Sequence, residues 1–425
     1  MHPRKDNKFK TCIFYGILVL IVVFSIELLS HLTFFIIFGK RYSPENLRSY
    51  VVTKYDRTEQ RANFLQKDII HPYIGYVFDF EDEKKNFNSQ GFDTDHPPVV
   101  KKEEGKLNIV VLGGSVAGGV AKSLEKTWGK TFQITPRLIN LALPGFKQPQ
   151  QLMALTYFLS LGAEYDLVIN IDGFNDIVLP CVENYTAGVN PFFPHSWKLR
   201  ITNNPAPQEL ALIGKVKYIQ DIKHKRLAEL AGSMFNISAA YGCIKMVQFI
   251  INNKELYDNT TALFALQKNS PKRFVESGPL EQFKNLTEMH AATAEIWFQC
   301  SLLINSLAKD KGFEYYHFLQ PNQYVKGSKR LTPEENRIAY NKKHIYRQSV
   351  LIGYPMLIAK GRMLLQNHIN FFDTTMIFAN INETVYCDTC CHYNKRGKQI
   401  VTDYIIQEIK RHSKLDKLKL AACPP

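Results

Sequence analysis

The 425-residue sequence has no internal repeat and no low-complexity tract. That excludes solenoids, propellers and disordered arrays, which carry fixed-period or biased segments. It also lacks a nucleic-acid recognition motif, although 53 Lys and Arg outweigh 39 Asp and Glu and give a net charge of +14. Nucleic acid is therefore not expected as a partner, and the basic balance suits lipid headgroups or acidic polysaccharide. Part of the excess lies between Lys215 and Arg226, where a solvated basic helix face explains it equally well. No small-residue cleavage site follows the N-terminal apolar run, which argues for a retained anchor over a removed signal peptide. Haem attachment ending at Cys391-His392 would need a cysteine at position 388, where Asp388 stands. A zinc site on Cys387-x-x-Cys390 with Cys391 and His392 would compete with the role assigned to His392 below, so no metal or cofactor is expected. Adjacent Cys390 and Cys391 do not bond to each other without strain. The eight cysteines are taken as structural thiols or as disulfide partners in an oxidising compartment. The five Asn-x-Ser/Thr sequons, at Asn184, Asn236, Asn259, Asn285 and Asn382, are read as chance.

What is present begins with an apolar run over 11–38, behind Arg4, Lys5, Lys8 and Lys10. A bilayer needs about 20 apolar residues, so the run predicts a transmembrane signal anchor. Glu27 and His31 interrupt it one helical turn apart and mark a shallow or partner-facing end; a shorter span over 12–26 is the alternative. Lys40, Arg41, Arg48 and Lys54 follow, so the flanking charges are nearly balanced and do not fix orientation. The expected organisation is a basic tail over 1–10, the anchor over 11–38 and a polar lead-in over 39–105. An α/β domain over 106–412 and a basic tail over 413–425 complete it.

Within the domain, strand-like runs occur at 108–112, 138–143, 167–171, 313–319 and 371–373. A helical pattern at 148–161 separates two of them. Strands alternating with helices predict a parallel sheet with helices on both faces, a three-layer α/β fold. The stretch over 181–310 breaks the rhythm with prolines and three helical patterns, near 208–231, 234–256 and 280–310. It reads as a helical insertion, either a lid over the sheet edge or a layer burying apolar surface elsewhere.

In an open α/β sheet the loops after the strand carboxyl ends share one edge, where ligands bind. Ser115 follows the first strand on a Gly113-Gly114 turn, Gly145 follows the second, and Asn175 follows the third in Asp172-Gly173-Phe174-Asn175-Asp176. His392 lies far downstream, just before an amphipathic stretch. A serine hydroxyl attacks only when a base takes its proton, and His392 is the candidate base. Asp388 is the candidate for orienting the imidazole. The Ser115 and Gly145 amides and the Asn175 side chain are candidate oxyanion donors. Gln320 and Asn322, after a later strand, are candidates for substrate binding or for capping a loop. Asp172 and Asp176 read as turn and supporting groups.

The blocks Gly113-Gly114-Ser115-Val116-Ala117-Gly118, Asn140-Leu141-Ala142-Leu143-Pro144-Gly145, Gly173-Phe174-Asn175-Asp176 and Asp388…His392 resemble the SGNH/GDSL hydrolase superfamily. The segments His71–Tyr76, Asn88–Phe92 and Gln320-Pro321-Asn322 look like those of its membrane-anchored bacterial members. The resemblance covers roughly 70–410 and implies a serine-dependent ester enzyme outside the cytoplasm. In the family the acid usually stands three residues before the histidine. Here Asp388 stands four before His392, so a Ser–His dyad is kept as an alternative to the triad. The expected function is an anchored esterase or O-acyltransferase acting on a carbohydrate or lipid ester. The competing expectation is a binding or assembly protein that kept the fold and lost turnover.

Overall fold

The structure, a computed structural model, describes residues 5–47, 68–79, 87–132, 134–201, 207–232, 237–269 and 274–415. Residues 1–4 of the N-terminal tail, 48–67 and 80–86 of the lead-in, Asn236, and 416–425 of the C-terminal tail lie outside the described residues. The chain divides into two compact units, one from 1–63 with 205–267 and one from 64–204 with 268–425.

The first unit contains helix α1 (Lys5–Phe38), whose stretch from Lys10 to Phe38 is long and apolar enough to cross a membrane. It also contains two long helices from the expected insertion, which become α5 (Pro207–Gly232) and α6 (Ala239–Asn269) in chain order. Phe34, Tyr42 and Leu47 pack with Ala239, Met246 and Phe249 in a small apolar cluster.

The second unit is built on a five-stranded, all-parallel sheet in the order β4-β3-β5-β6-β7. Its strands are β3 (Lys106–Gly113), β4 (Thr135–Asn140), β5 (Leu167–Asp172), β6 (Glu314–Leu319) and β7 (Asn370–Asp373). A strand covered on both faces reads as a continuous apolar run, which is why Leu107–Leu112 and Leu167–Ile171 are buried almost throughout. Helices α2 (Ser115–Thr131), α3 (Gln150–Ser160), α7 (Leu286–Lys311), α8 (Arg347–Gln366) and α9 (Lys395–His412) flank the sheet. A short helix α4 (Phe174–Leu179) follows β5. The fold is the expected three-layer α/β arrangement.

Three local differences have physical causes. The second strand runs over Thr135–Asn140, three residues earlier than its apolar run suggests, because Leu141–Leu143 is buried in the turn leading to Pro144. The lead-in contains a hairpin, β1 (Asp68–His71) with β2 (Gly75–Phe78), whose inward Ile74, Tyr76 and Val77 join the sheet's core. Helix α8 carries Gly353 and Pro355, which obscure its helical pattern; Gly353 is required because a Cβ there would lie 2.7 Å from Ile177 Cγ1.

Candidate active site

The carboxyl edge of β3 turns through Gly113, whose φ of +141° is open to glycine but strained for other residues. A Cβ there would also lie 2.5 Å from that of Ala117. This turn sets Ser115 as the first residue of α2. From that position Ser115 Oγ lies 2.7 Å from His392 Nε2. The residues are 277 positions apart in sequence.

His392 is presented by a tightly tied loop. A bridge pairs Tyr386 with Tyr393, and Cys387 N–H donates to His392 O at 3.1 Å. Inside the loop, Asp388 Oδ1 accepts from the N–H groups of Cys390, Cys391 and His392 at 2.9, 3.0 and 3.2 Å. Its other oxygen, Oδ2, pairs with His392 Nδ1. The loop therefore curls around its own acid, and the four-residue spacing does not turn the carboxylate from the ring. Burial opposes ionisation of Asp388, but the His392 ring and these N–H donors hold its carboxyl down at about 2. Both ring nitrogens of His392 are thus engaged. The Cys390, Cys391 and His392 side chains offer ligand atoms within 4.8 Å of one another, but a metal there would take the nitrogen facing Ser115 or Asp388. The seven described cysteines are free thiols.

The segment after β6 supports this loop from below. Asn322 is fully buried; its Nδ2 donates to Cys390 O at 3.0 Å and its Oδ1 accepts from Tyr324 N at 3.0 Å. Gln323 Nε2 donates to Asp388 O and Tyr324 Oη to Thr389 O, while Tyr393 Oη returns a bond to Pro321 O. Of the two readings for Asn322, substrate binding or capping a loop, its contacts fit the second: the side chain is committed to holding the histidine loop. Gln320 is buried as well, with its backbone held by Asp172 O and Tyr354 Oη and its Nε2 unpartnered.

Asn175 sits in the first turn of α4, and its Nδ2 donates to Phe146 O at 2.9 Å. That amide carries a second hydrogen. The same nitrogen lies against Gly114, next to Ser115, so Asn175 bridges the serine turn and the Gly145-Phe146 turn. Gly145 adopts φ of +79°, and a Cβ on it would lie 2.5 Å from His195 Cδ2 and 2.9 Å from Tyr76 Oη. The turn is thus packed for glycine alone. Asp176 fixes α4 by accepting from Gln148 N at 2.7 Å and Gly173 N at 2.9 Å; burial and the nearby Asp172 carboxylate push its pKa up.

Sequence reasoning missed the groups behind Gly145. His195 Nδ1 lies 2.6 Å from Glu183 Oε2, and Glu183 also accepts from Tyr346 Oη at 2.9 Å. Burial works against the Glu183 charge, yet His195 and its hydrogen-bond donors keep its pKa below the ordinary value. Lys147 is fully buried and donates to Pro191 O and Phe193 O at 2.7 Å each, tying down the segment that carries His195. Burial pushes its ammonium down to about 7. Glu183 and His195 stand in a stretch with no strand or motif to mark them.

No protein-family model matches this chain, and no curated protein matches it. Among solved structures it is similar to a GDSL-like lipase from Bacteroides thetaiotaomicron, at 12% identity and a TM-score of 0.34, over 74% of this chain and 93% of that one. It is also similar to a lipase/acylhydrolase from Enterococcus faecalis, at 9% identity and a TM-score of 0.28, over 71% of this chain and 95% of that one.

Proposed function

We propose that the protein is a serine-dependent ester enzyme, an esterase or O-acyltransferase, acting on a carbohydrate or lipid ester. The observation that carries this is the Ser115 Oγ to His392 Nε2 distance of 2.7 Å, with Asp388 on the opposite ring nitrogen. In the first step Ser115 Oγ bonds to the ester carbonyl carbon while His392 Nε2 takes the hydroxyl proton. The charge on the carbonyl oxygen meets the Ser115 and Gly145 N–H groups and the second hydrogen of Asn175 Nδ2. The tetrahedral adduct collapses, the ester C–O bond breaks, and His392 returns the proton to the leaving alcohol. Water or a sugar hydroxyl then attacks the acyl-serine by the same route in reverse. Esterase and transferase differ only in that acceptor.

The family resemblance of the four motif blocks and the long apolar helix α1 support a membrane-anchored bacterial protein with its catalytic unit outside the cytoplasm. The test is turnover of an activated acetyl ester by the full-length protein, followed by acetylated polysaccharide with and without an acceptor glycan. Release of acetate, or its transfer to the glycan, supports the enzyme. No turnover of any ester by folded protein returns the alternative, a binding or assembly protein.

A further inference from the structure

We infer that the α5–α6 hairpin of the first unit seats in the lipid interface alongside the second half of α1, through the apolar face of the first turns of α6. This rests on α1 being the membrane anchor.

The two helices are joined at Glu27, the acid inside the apolar run. Its carboxylate accepts from Ser238 Oγ at 2.7 Å, Ala239 N at 2.5 Å and Ala240 N at 3.2 Å. The first N–H groups of a helix have no intrahelical partner, and a carboxylate in an apolar run needs donors. Glu27, whose Oε1 also lies 3.5 Å from His31 Nε2 one turn along α1, accepts from these N–H groups. Below this contact Phe34 packs with Ala239, Met246 and Phe249, and Gly242 allows the Tyr42 ring to approach.

One face of early α6 is thus covered by α1. The other face is also apolar, and it is open. Ile244 is 58% exposed and Ile251 58%, with Val247 between them, a stripe at helical spacing, and Ile237, just ahead of the helix, is 82% exposed. Farther along α6 the exposed residues turn to Lys254, Glu255 and Asp258, with Tyr257, an aromatic carrying a polar tip, among them. The apolar stripe therefore ends at a definite level, as the edge of a bilayer requires. The side of α1 next to it is of the same character, with Leu28, Leu32, Phe35 and Ile36 exposed. Charged groups near the stripe are paired or anchored: Lys245 to Glu229 at 2.6 Å, and Arg226 to Gln248 O at 3.0 Å. Such cations reach headgroups while their stems lie along apolar surface, which fits an interfacial depth.

The experiment uses full-length protein in phosphatidylcholine vesicles, with and without bromine on the acyl chains. Ile244→Trp reports the stripe, Leu20→Trp the anchor, and Lys126→Trp on α2 the water-exposed reference. Each is read as the added emission over the parent. We expect a roughly twofold or greater loss of the Ile244→Trp emission in brominated vesicles, as for Leu20→Trp, with Lys126→Trp unchanged. Quenching of Leu20→Trp but not Ile244→Trp overturns the inference and leaves the anchor standing. If acrylamide then also fails to quench Ile244→Trp, a protein surface covers the stripe instead of lipid. Failure of Leu20→Trp to quench removes the anchor and the inference together.

Discussion

Among the described residues of the second unit, two Ser–His–Asp constellations stand in instructive contrast. In one, Ser115, His392 and Asp388 meet at the carboxyl edge of the sheet, and the His392 side chain is 32% exposed. In the other, Ser301 Oγ lies 2.9 Å from His317 Nδ1, and His317 Nε2 lies 2.8 Å from Asp172 Oδ1. The same three residue types touch in the same order, yet the His317 side chain is 0% exposed. Asp172 also accepts from Trp297 Nε1 at 2.6 Å and Asn170 Nδ2 at 2.9 Å, and Ser301 also bonds Tyr315 Oη. No ester carbonyl can approach Ser301, which faces the sheet from the middle of α7. The buried set instead locks the end of β5, from which Gly173 and Asn175 depart. Contact geometry alone does not make a nucleophile; access and oxyanion donors do.

The largest effects should separate the two sets. Ser115→Ala and His392→Ala should each lower turnover of an activated ester by about a millionfold, since removing either nucleophile or base disables the whole unit. Comparable activity in either variant would break the contrast. Next, Asp388→Asn should cost roughly three to four orders of magnitude, because the carboxylate faces the ring squarely. A loss under tenfold would restore the dyad.

Asp388 also predicts a pH signature. Its folded-state pKa is lowered from the ordinary 3.8 to about 2. A depressed carboxyl pKa stabilises the fold above the unfolded value, and that stabilisation disappears as pH falls from about 4 toward 2. Asp388→Asn should flatten this part of a urea-melt pH series. Smaller again, Asn175→Ala should reduce turnover about 10²- to 10³-fold with little change in substrate affinity, the mark of an interaction made in the transition state.

The buried set should respond in stability. Asp172→Asn leaves His317 and Trp297 facing a weaker acceptor and should cost about 3–5 kcal/mol by denaturant titration. Ser301→Ala should cost only about 1 kcal/mol and leave turnover near parental. Loss of turnover in a folded Ser301→Ala protein would contradict the division of roles.

Much of this was legible in the sequence. Gly113-Gly114-Ser115 after an unbroken apolar strand marks a serine at a sheet edge. Asn175 is found by the same logic, since a strand precedes it too. The acid was harder. Spacing alone left Asp388 in doubt, because the three backbone N–H groups that fold the loop around its carboxylate carry no sequence signature. Asn322 stays open in the sequence because a polar residue after a strand fits a pocket as well as a brace; its burial against Cys390 O favours the brace. His195, Glu183 and Lys147 were invisible, since their partners are carbonyls and side chains brought together by tertiary packing.

The central claim is that Ser115, and not its buried counterpart, is the nucleophile. The most direct measurement is mass-spectrometric mapping of the serine modified by a fluorophosphonate probe on the folded, full-length protein. The expected result is a single adduct on Ser115, absent in His392→Ala and retained in Ser301→Ala. An adduct on Ser301, or equal labelling of a Ser115→Ala variant, would contradict it.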